Sequence, residues 1–188
     1  MRLLIYGFGP YRQFRDNITA KIIGSLPKRP GLSSIVFPVR YHRRQFIEAI
    51  ERYRPDCILG LGQSSREWIE IESRAINWRR NSETAPQKAI HKHKPKYLLT
   101  TLEVRGGREA GQSENAGDYV CNYSMYVVLD YIASKKLNIP FGFIHIPHDH
   151  DPRRAARFVE KIIGRVAGFA DRKSVAKSNL QGRRTRKR

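Results

Sequence analysis

The run Cys57-Ile58-Leu59-Gly60-Leu61-Gly62 constrains this chain more than any other stretch. It follows Pro55-Asp56, is apolar on both faces and ends in glycine, the pattern of a strand buried between two layers. Leu3-Leu4-Ile5-Tyr6 repeats the theme and leaves through the turn Gly7-Phe8-Gly9-Pro10-Tyr11. Ser33 to Val39 reads as a second strand, and Phe141-Gly142-Phe143-Ile144-His145-Ile146, introduced by Pro140, as a late one. Helical stripes lie between them. Asn17 can cap a helix carrying Ile18, Ile22, Ile23 and Leu26, and Tyr41 to Tyr53 turns Phe46, Ile47 and Ile50 inward. A last helix from Asp151 to about Ala170 spaces Ala155, Phe158, Val159, Ile162, Ile163 and Val166 on one face. Apolar strands alternating with amphipathic helices predict an α/β fold with a mostly parallel, twisted sheet.

Other segments are less regular. Trp68 to Trp78 alternates as an extended segment beside the sheet, residues 79–96 read as a polar surface loop, and Gly106 to Ser113 as a soft connector. The 188 residues suit one domain with a full core, placed at 1–171. Residues 172–188 hold eight cations and no acid, and read as a basic, disordered tail. The whole chain carries +19; without those eight cations the remainder still carries +11. Such a field attracts polyanions. No nucleic-acid-reading motif accompanies it, so a solvated tail on a basic enzyme is the favoured reading and nucleic-acid binding the lesser one. Two cysteines, Cys57 and Cys121, form neither a disulfide framework nor a zinc spacing. Gly7 interrupts the N-terminal apolar run too early for a signal peptide, and no run reaches membrane-spanning length. A reducing cytoplasm is expected.

The stretch Asn115-Ala116-Gly117-Asp118-Tyr119-Val120-Cys121-Asn122 carries the chemistry. A glycine loop runs into the helical spacing Met125, Val128, Leu129, Ile132, so Cys121 falls in a helix's first turn. Unpaired N–H groups and the helix dipole favour an anion there, a setting in which a cysteine serves as nucleophile. Ligands in open α/β sheets collect at the carboxyl ends of the strands. Phe8 and Tyr11, Gln63 and His145 all fall at such ends. His145 is the best-placed base for the thiol, and a carboxylate in an apolar strand would orient it. Glu72 fits that role, with Glu70 on the same alternating face as its rival.

An ordered set of motifs then becomes visible: G-F-G-P-Y at 7–11, G-L-G-Q at 60–63, E-S-R-A-I-N at 72–77, N-A-G-D-Y-V-C-N at 115–122 and F-I-H-I-P at 143–147. Together they resemble the pyroglutamyl peptidase I family, the pyrrolidone-carboxylate cysteine exopeptidases. The resemblance implies a single α/β/α sandwich that removes an N-terminal pyroglutamate from peptides through an acyl-enzyme, with no metal and no cofactor. It implies Cys121 as nucleophile, His145 as base and acid, and Glu72 as the orienting acid. It further implies Phe8, Tyr11, Tyr119 and Val120 as pocket walls, with Asn17 and the Gln63 backbone holding the lactam ring and the N-terminal loop. A flat neutral lactam suits such a slot, whereas a charged α-amine would be desolvated without a partner.

The chain departs from the family pattern at three places. Tyr11 stands where phenylalanine is usual, Asp118 sets a carboxylate near the thiol, and residues 79–96 are shorter than the family's covering loop. The family's loop arginine falls near Ser82, leaving Arg79 or Arg80 to stand in. Three functions are therefore carried: a pyroglutamyl exopeptidase, a family member with altered or lost activity, and a polyanion binder on the same fold. Homo-oligomerisation is left open and no membrane partner is expected. Cys57 is expected in the core. The cluster His145, His148, Asp149, His150 and Asp151 reads as surface and cap residues in preference to a metal site.

Overall fold

The apolar runs lie side by side in one six-stranded sheet. The computed structural model describes residues 1–11, 14–82, 84–166 and 168. In chain order it contains β1 (Leu3–Phe8), α1 (Ile18–Ser25), β2 (Leu32–Phe37), α2 (Arg43–Tyr53), β3 (Cys57–Ser64), β4 (Ile69–Glu72), β5 (Arg74–Ile76), β6 (Tyr97–Leu99), β7 (Ala110–Ser113), α3 (Val120–Ser134) and β8 (Phe141–Pro147). A fourth helix, α4, covers 152–166. The strand order is β2-β1-β3-β8-β4-β7. The first four run parallel, β4 is antiparallel to β8, and β7 is parallel to β4.

Each central strand has two buried faces, and period-two alternation sorts their side chains into two cores. Ile5, Leu59, Leu61, Ile144 and Ile146 pack with the stripes of α1 and α4. Tyr6, Phe8, Ile58, Phe141 and Phe143 pack with α2 and α3. The result is the expected three-layer α/β/α sandwich. Cys57 opens β3 and is buried, as a core residue should be.

Two segments differ from the sequence expectation. Ile69 to Glu72 enters the main sheet instead of lying beside it, and only Arg74–Ile76 leaves, to pair with β6 in a small ribbon. The 106–113 connector ends in β7, an edge strand that alternation could not reveal because Ala110-Gly111-Gln112-Ser113 has almost no apolar side chain. Residues 79–96 are irregular, as expected, yet anchored. The Asn77 side chain donates to the carbonyls of His91 and Lys94 and accepts from His91 N–H, and Arg79 bridges Lys88. Among the described residues no helix is long and apolar enough to cross a membrane. The 172–188 tail lies outside the described residues.

Candidate active site

At one edge of the parallel sheet, the carboxyl ends of β1, β3 and β8 meet the start of α3 around a cavity of about 270 Å³. Phe8, Tyr11, Asn17, Gln63, Tyr119, Val120, Cys121 and His145 all line it. Eight of the nine side chains expected from sequence thus share one cavity. The ninth, Glu72, is fully buried behind His145.

The register explains that arrangement. In the antiparallel pair β4–β8, Glu70 stands opposite His145 and Glu72 opposite Phe143, so Glu72 sits one pleat deeper on the face toward α3. From there its Oε1 lies 2.7 Å from His145 Nδ1. Glu70, the rival, pairs with Arg66 instead. Carboxylate contact at Nδ1 assigns the proton there and leaves Nε2 for the cavity. Burial alone would make His145 a weaker base. The adjoining Cys121 sulfur and then Glu72 outweigh it, and the imidazole is pushed up to about 9. Burial likewise opposes charge on Glu72, yet the His145 contact holds its carboxyl below the ordinary range, with help from Ser113 and Arg66.

Cys121 is the second residue of α3, after Tyr119 at the N-cap and Gly117 at φ 78°. Only glycine adopts that φ without strain. A helix's first N–H groups lack intrahelical partners, so the Cys121 amide, in a residue lining the cavity, has no acceptor within the helix. The next residue locks the turn in place. Buried Asn122 accepts from Ile76 N–H at 2.8 Å and donates to the carbonyls of Ile76 and Trp78, each at 2.8 Å. Below it, Ser124 donates to the Cys121 carbonyl and meets Tyr6 Oη at 3.1 Å. Burial pushes the Tyr6 phenol well up, so it stays neutral.

Asn17 and Gln63 shape the cavity through the backbone. Asn17 donates to the Gly9 carbonyl and accepts from Thr19 N–H, capping α1 while pinning the loop after β1. Gln63 Oε1 accepts from Ile18 N–H at 2.9 Å, tying β3 to the same cap. Tyr11 stacks on Phe14 with ring centroids 5.7 Å apart and meets Tyr119 at 5.8 Å. Tyr119 meets Tyr41 edge-on at 5.5 Å. Asp118 forms an ion pair with Arg80 at 2.8 Å, and Arg80 N–H donates to the Asp118 carbonyl at 2.8 Å. Of the two arginines proposed as stand-ins, Arg80 reaches the cavity rim, while Arg79 lies over the Tyr41 ring.

Sequence reading missed Val39 and Arg66, which line the cavity, and Phe14 and Tyr41, which pack behind its Tyr11 and Tyr119 walls. Phe14 had a faint signal, an aromatic three residues after Tyr11. Arg66 had none beyond its position past a strand end. The other histidines are dispersed: His148 packs edge-on against Phe14, and His150 donates to the Asp151 carbonyl. Asp151 caps α4 by accepting from Arg154 N–H. Among the described residues no group of three His, Cys, Asp or Glu side chains is placed to hold a metal.

Comparisons with known proteins place the chain in a family and match its fold. A family model described as pyroglutamyl peptidase matches residues 1–156. The chain is 30% identical over 168 residues to pyrrolidone-carboxylate peptidase 1 of Caldanaerobacter subterraneus subsp. tengcongensis, covering 79% of this chain and 83% of that one. It is 28% identical over 181 residues to the Saccharolobus solfataricus protein of the same name, covering 85% of each. In three dimensions it resembles pyrrolidone carboxyl peptidase from Thermococcus litoralis, with a TM-score of 0.81 over 92% of this chain and 96% of that one at 21% identity. A mutant enzyme from Pyrococcus furiosus superimposes with a TM-score of 0.79 over 90% of this chain and all of that one, at 24% identity.

Proposed function

The chain belongs to the pyroglutamyl peptidase family, and we propose that it removes N-terminal pyroglutamate from peptides using Cys121, His145 and Glu72 as a catalytic triad. One observation carries the assignment: a buried carboxylate 2.7 Å from His145 Nδ1 behind a cavity whose wall holds both the imidazole and a helix-start thiol.

In this reading the lactam lies between Phe8, Tyr11, Tyr119 and Val120. The Cys121 thiolate attacks the pyroglutamyl carbonyl, a C–S bond forms, and the oxyanion is met by the Cys121 N–H. His145 Nε2 protonates the departing amine as the C–N bond breaks, leaving a thioester. Water then attacks, His145 takes its proton, and the thiolate leaves as free pyroglutamate is released. Glu72 accepts from Nδ1 throughout and stabilises the imidazolium. The catalytic domain is assigned to residues 1–171. A cytoplasmic location fits two cysteines that both remain free thiols.

A fluorogenic pyroglutamyl amide tests the function directly. Turnover is expected with the wild-type chain, and replacing pyroglutamyl by prolyl should abolish it because the secondary amine is charged. Equal turnover of both would overturn the pocket assignment.

A further inference from the structure

Arg66, just past β3, reaches into the cavity wall and makes three contacts, one on β4 and two on the stretch that runs from β7 toward Cys121. It pairs with Glu70 on β4, donates to Ser113 Oγ at the end of β7 at 3.1 Å, and donates to the Asn115 carbonyl in the loop leading to Cys121. One of its nitrogens also lies 3.9 Å from Glu72 Oε1, the atom that holds His145. A planar guanidinium can bond to several acceptors in fixed directions at once; an ammonium at the end of a flexible stem cannot. Asn115 in turn accepts from Gly117 N–H, extending the connection to the glycine turn before the nucleophile.

We propose that Arg66 is a positioning residue that couples the acid–imidazole pair to the nucleophile's loop, fixing their spacing and favouring ionised Glu72. The proposal rests on the triad reading above. The groups facing Glu72 are His145 from β8, Arg66 from the segment after β3 and Ser113 from β7, with Thr100 bonded to its backbone carbonyl. Arg66 is the cation among them that does not itself take part in proton transfer. Removing it makes Glu72 easier to protonate, which weakens the imidazolium and hence the thiolate. The acidic limb of activity therefore moves to higher pH.

The test compares Arg66→Gln and Arg66→Lys with wild type in two assays across pH. One is kcat/KM on a pyroglutamyl amide. The other is the alkylation rate of Cys121 by iodoacetamide, read by mass spectrometry on its peptide, which needs no substrate. Arg66→Gln is expected to lower kcat/KM about 10- to 100-fold, mostly in kcat, and to raise the acidic limb in both assays. Arg66→Lys is expected to keep the limb near wild type while kcat falls, because charge is retained and the three-way bracket is lost. An unmoved limb in Arg66→Gln would overturn the proposal. Should that variant not fold, Arg66→Lys decides alone, and wild-type kcat in it would overturn the bracket. If wild type cleaves no pyroglutamyl amide, the substrate reading fails, and the alkylation limb still judges Arg66.

Discussion

Gly62 and His145 face each other across the β3–β8 pair, and the missing side chain of Gly62 is what gives the imidazole its room. A Cβ at Gly62 would lie 2.6 Å from His145 Cδ2, 2.8 Å from Nε2 and 2.8 Å from the Phe143 ring. These are not approaches that carbon atoms tolerate. The glycine-rich end of β3 therefore does more than finish a strand.

Gly62→Ala is accordingly expected to push the imidazole off its line to Cys121. A displacement of that size lowers kcat by about 10- to 100-fold, and overpacking costs about 1–3 kcal/mol of stability. Steady-state kinetics and a denaturant melt on the same preparation check both. Wild-type kcat in this variant would mean that His145 is not held by this contact.

The proposed triad predicts a graded series. Cys121→Ala should have no measurable turnover, and His145→Ala should fall by orders of magnitude. Glu72→Gln should retain the fold and lose less, because the imidazole keeps a partner but not a charge. Undiminished turnover in Cys121→Ala would sink the mechanism.

The pH profile should be bell-shaped. His145 is pushed up to about 9, so its proton, and the general acid with it, is lost as pH rises through that value. Glu72 is held low, so its carboxylate is lost only as pH falls through a value below the ordinary range. Activity is thus expected across neutral pH with an alkaline limb near about 9, measured as kcat/KM against pH. The same linkage acts on stability: the His145 contribution is complete below its unfolded value and disappears above about 9.

Asn122→Ala should be among the more damaging substitutions outside the triad. It would leave the buried Ile76 N–H and carbonyl, and the half-buried Trp78 carbonyl, without the amide they meet now. About 2–4 kcal/mol of stability should be lost, read from the midpoint of urea unfolding. A loss under about 0.5 kcal/mol would show that the strand and helix start find other partners.

At the cavity rim, Arg80→Gln should be worse than Asp118→Asn, because it leaves a carboxylate near Cys121 without its cation. Both side chains are about one-third exposed, so the pair contributes less than about 1 kcal/mol. The Arg80→Gln/Asp118→Asn double variant should recover part of the kcat/KM lost in Arg80→Gln. A double-mutant cycle with zero coupling would remove the pair from the site's electrostatics.

The layers, and the place of the thiol, were legible in the chain's local patterns. Residues 57–62 are apolar on both faces, and only a sheet covered on two sides satisfies that pattern; the glycine loop before a helical stripe put Cys121 at a helix start. These are local properties, set by periodicity and backbone preference within a few residues. Pairing across distance was set only by the packed chain. The resemblance at 72–77 already implied Glu72; why Glu70 does not compete is visible only in the fold, where Glu72 Oε1 lies 2.7 Å from His145 Nδ1 while Glu70 pairs with Arg66. The edge strand β7, the reach of Arg80 in place of Arg79 to Asp118, and the ties from Arg66 to Ser113 and Asn115 likewise depend on contacts between residues tens of positions apart. Side-chain periodicity sets which face a residue takes, and packing of the whole chain sets which partner waits there.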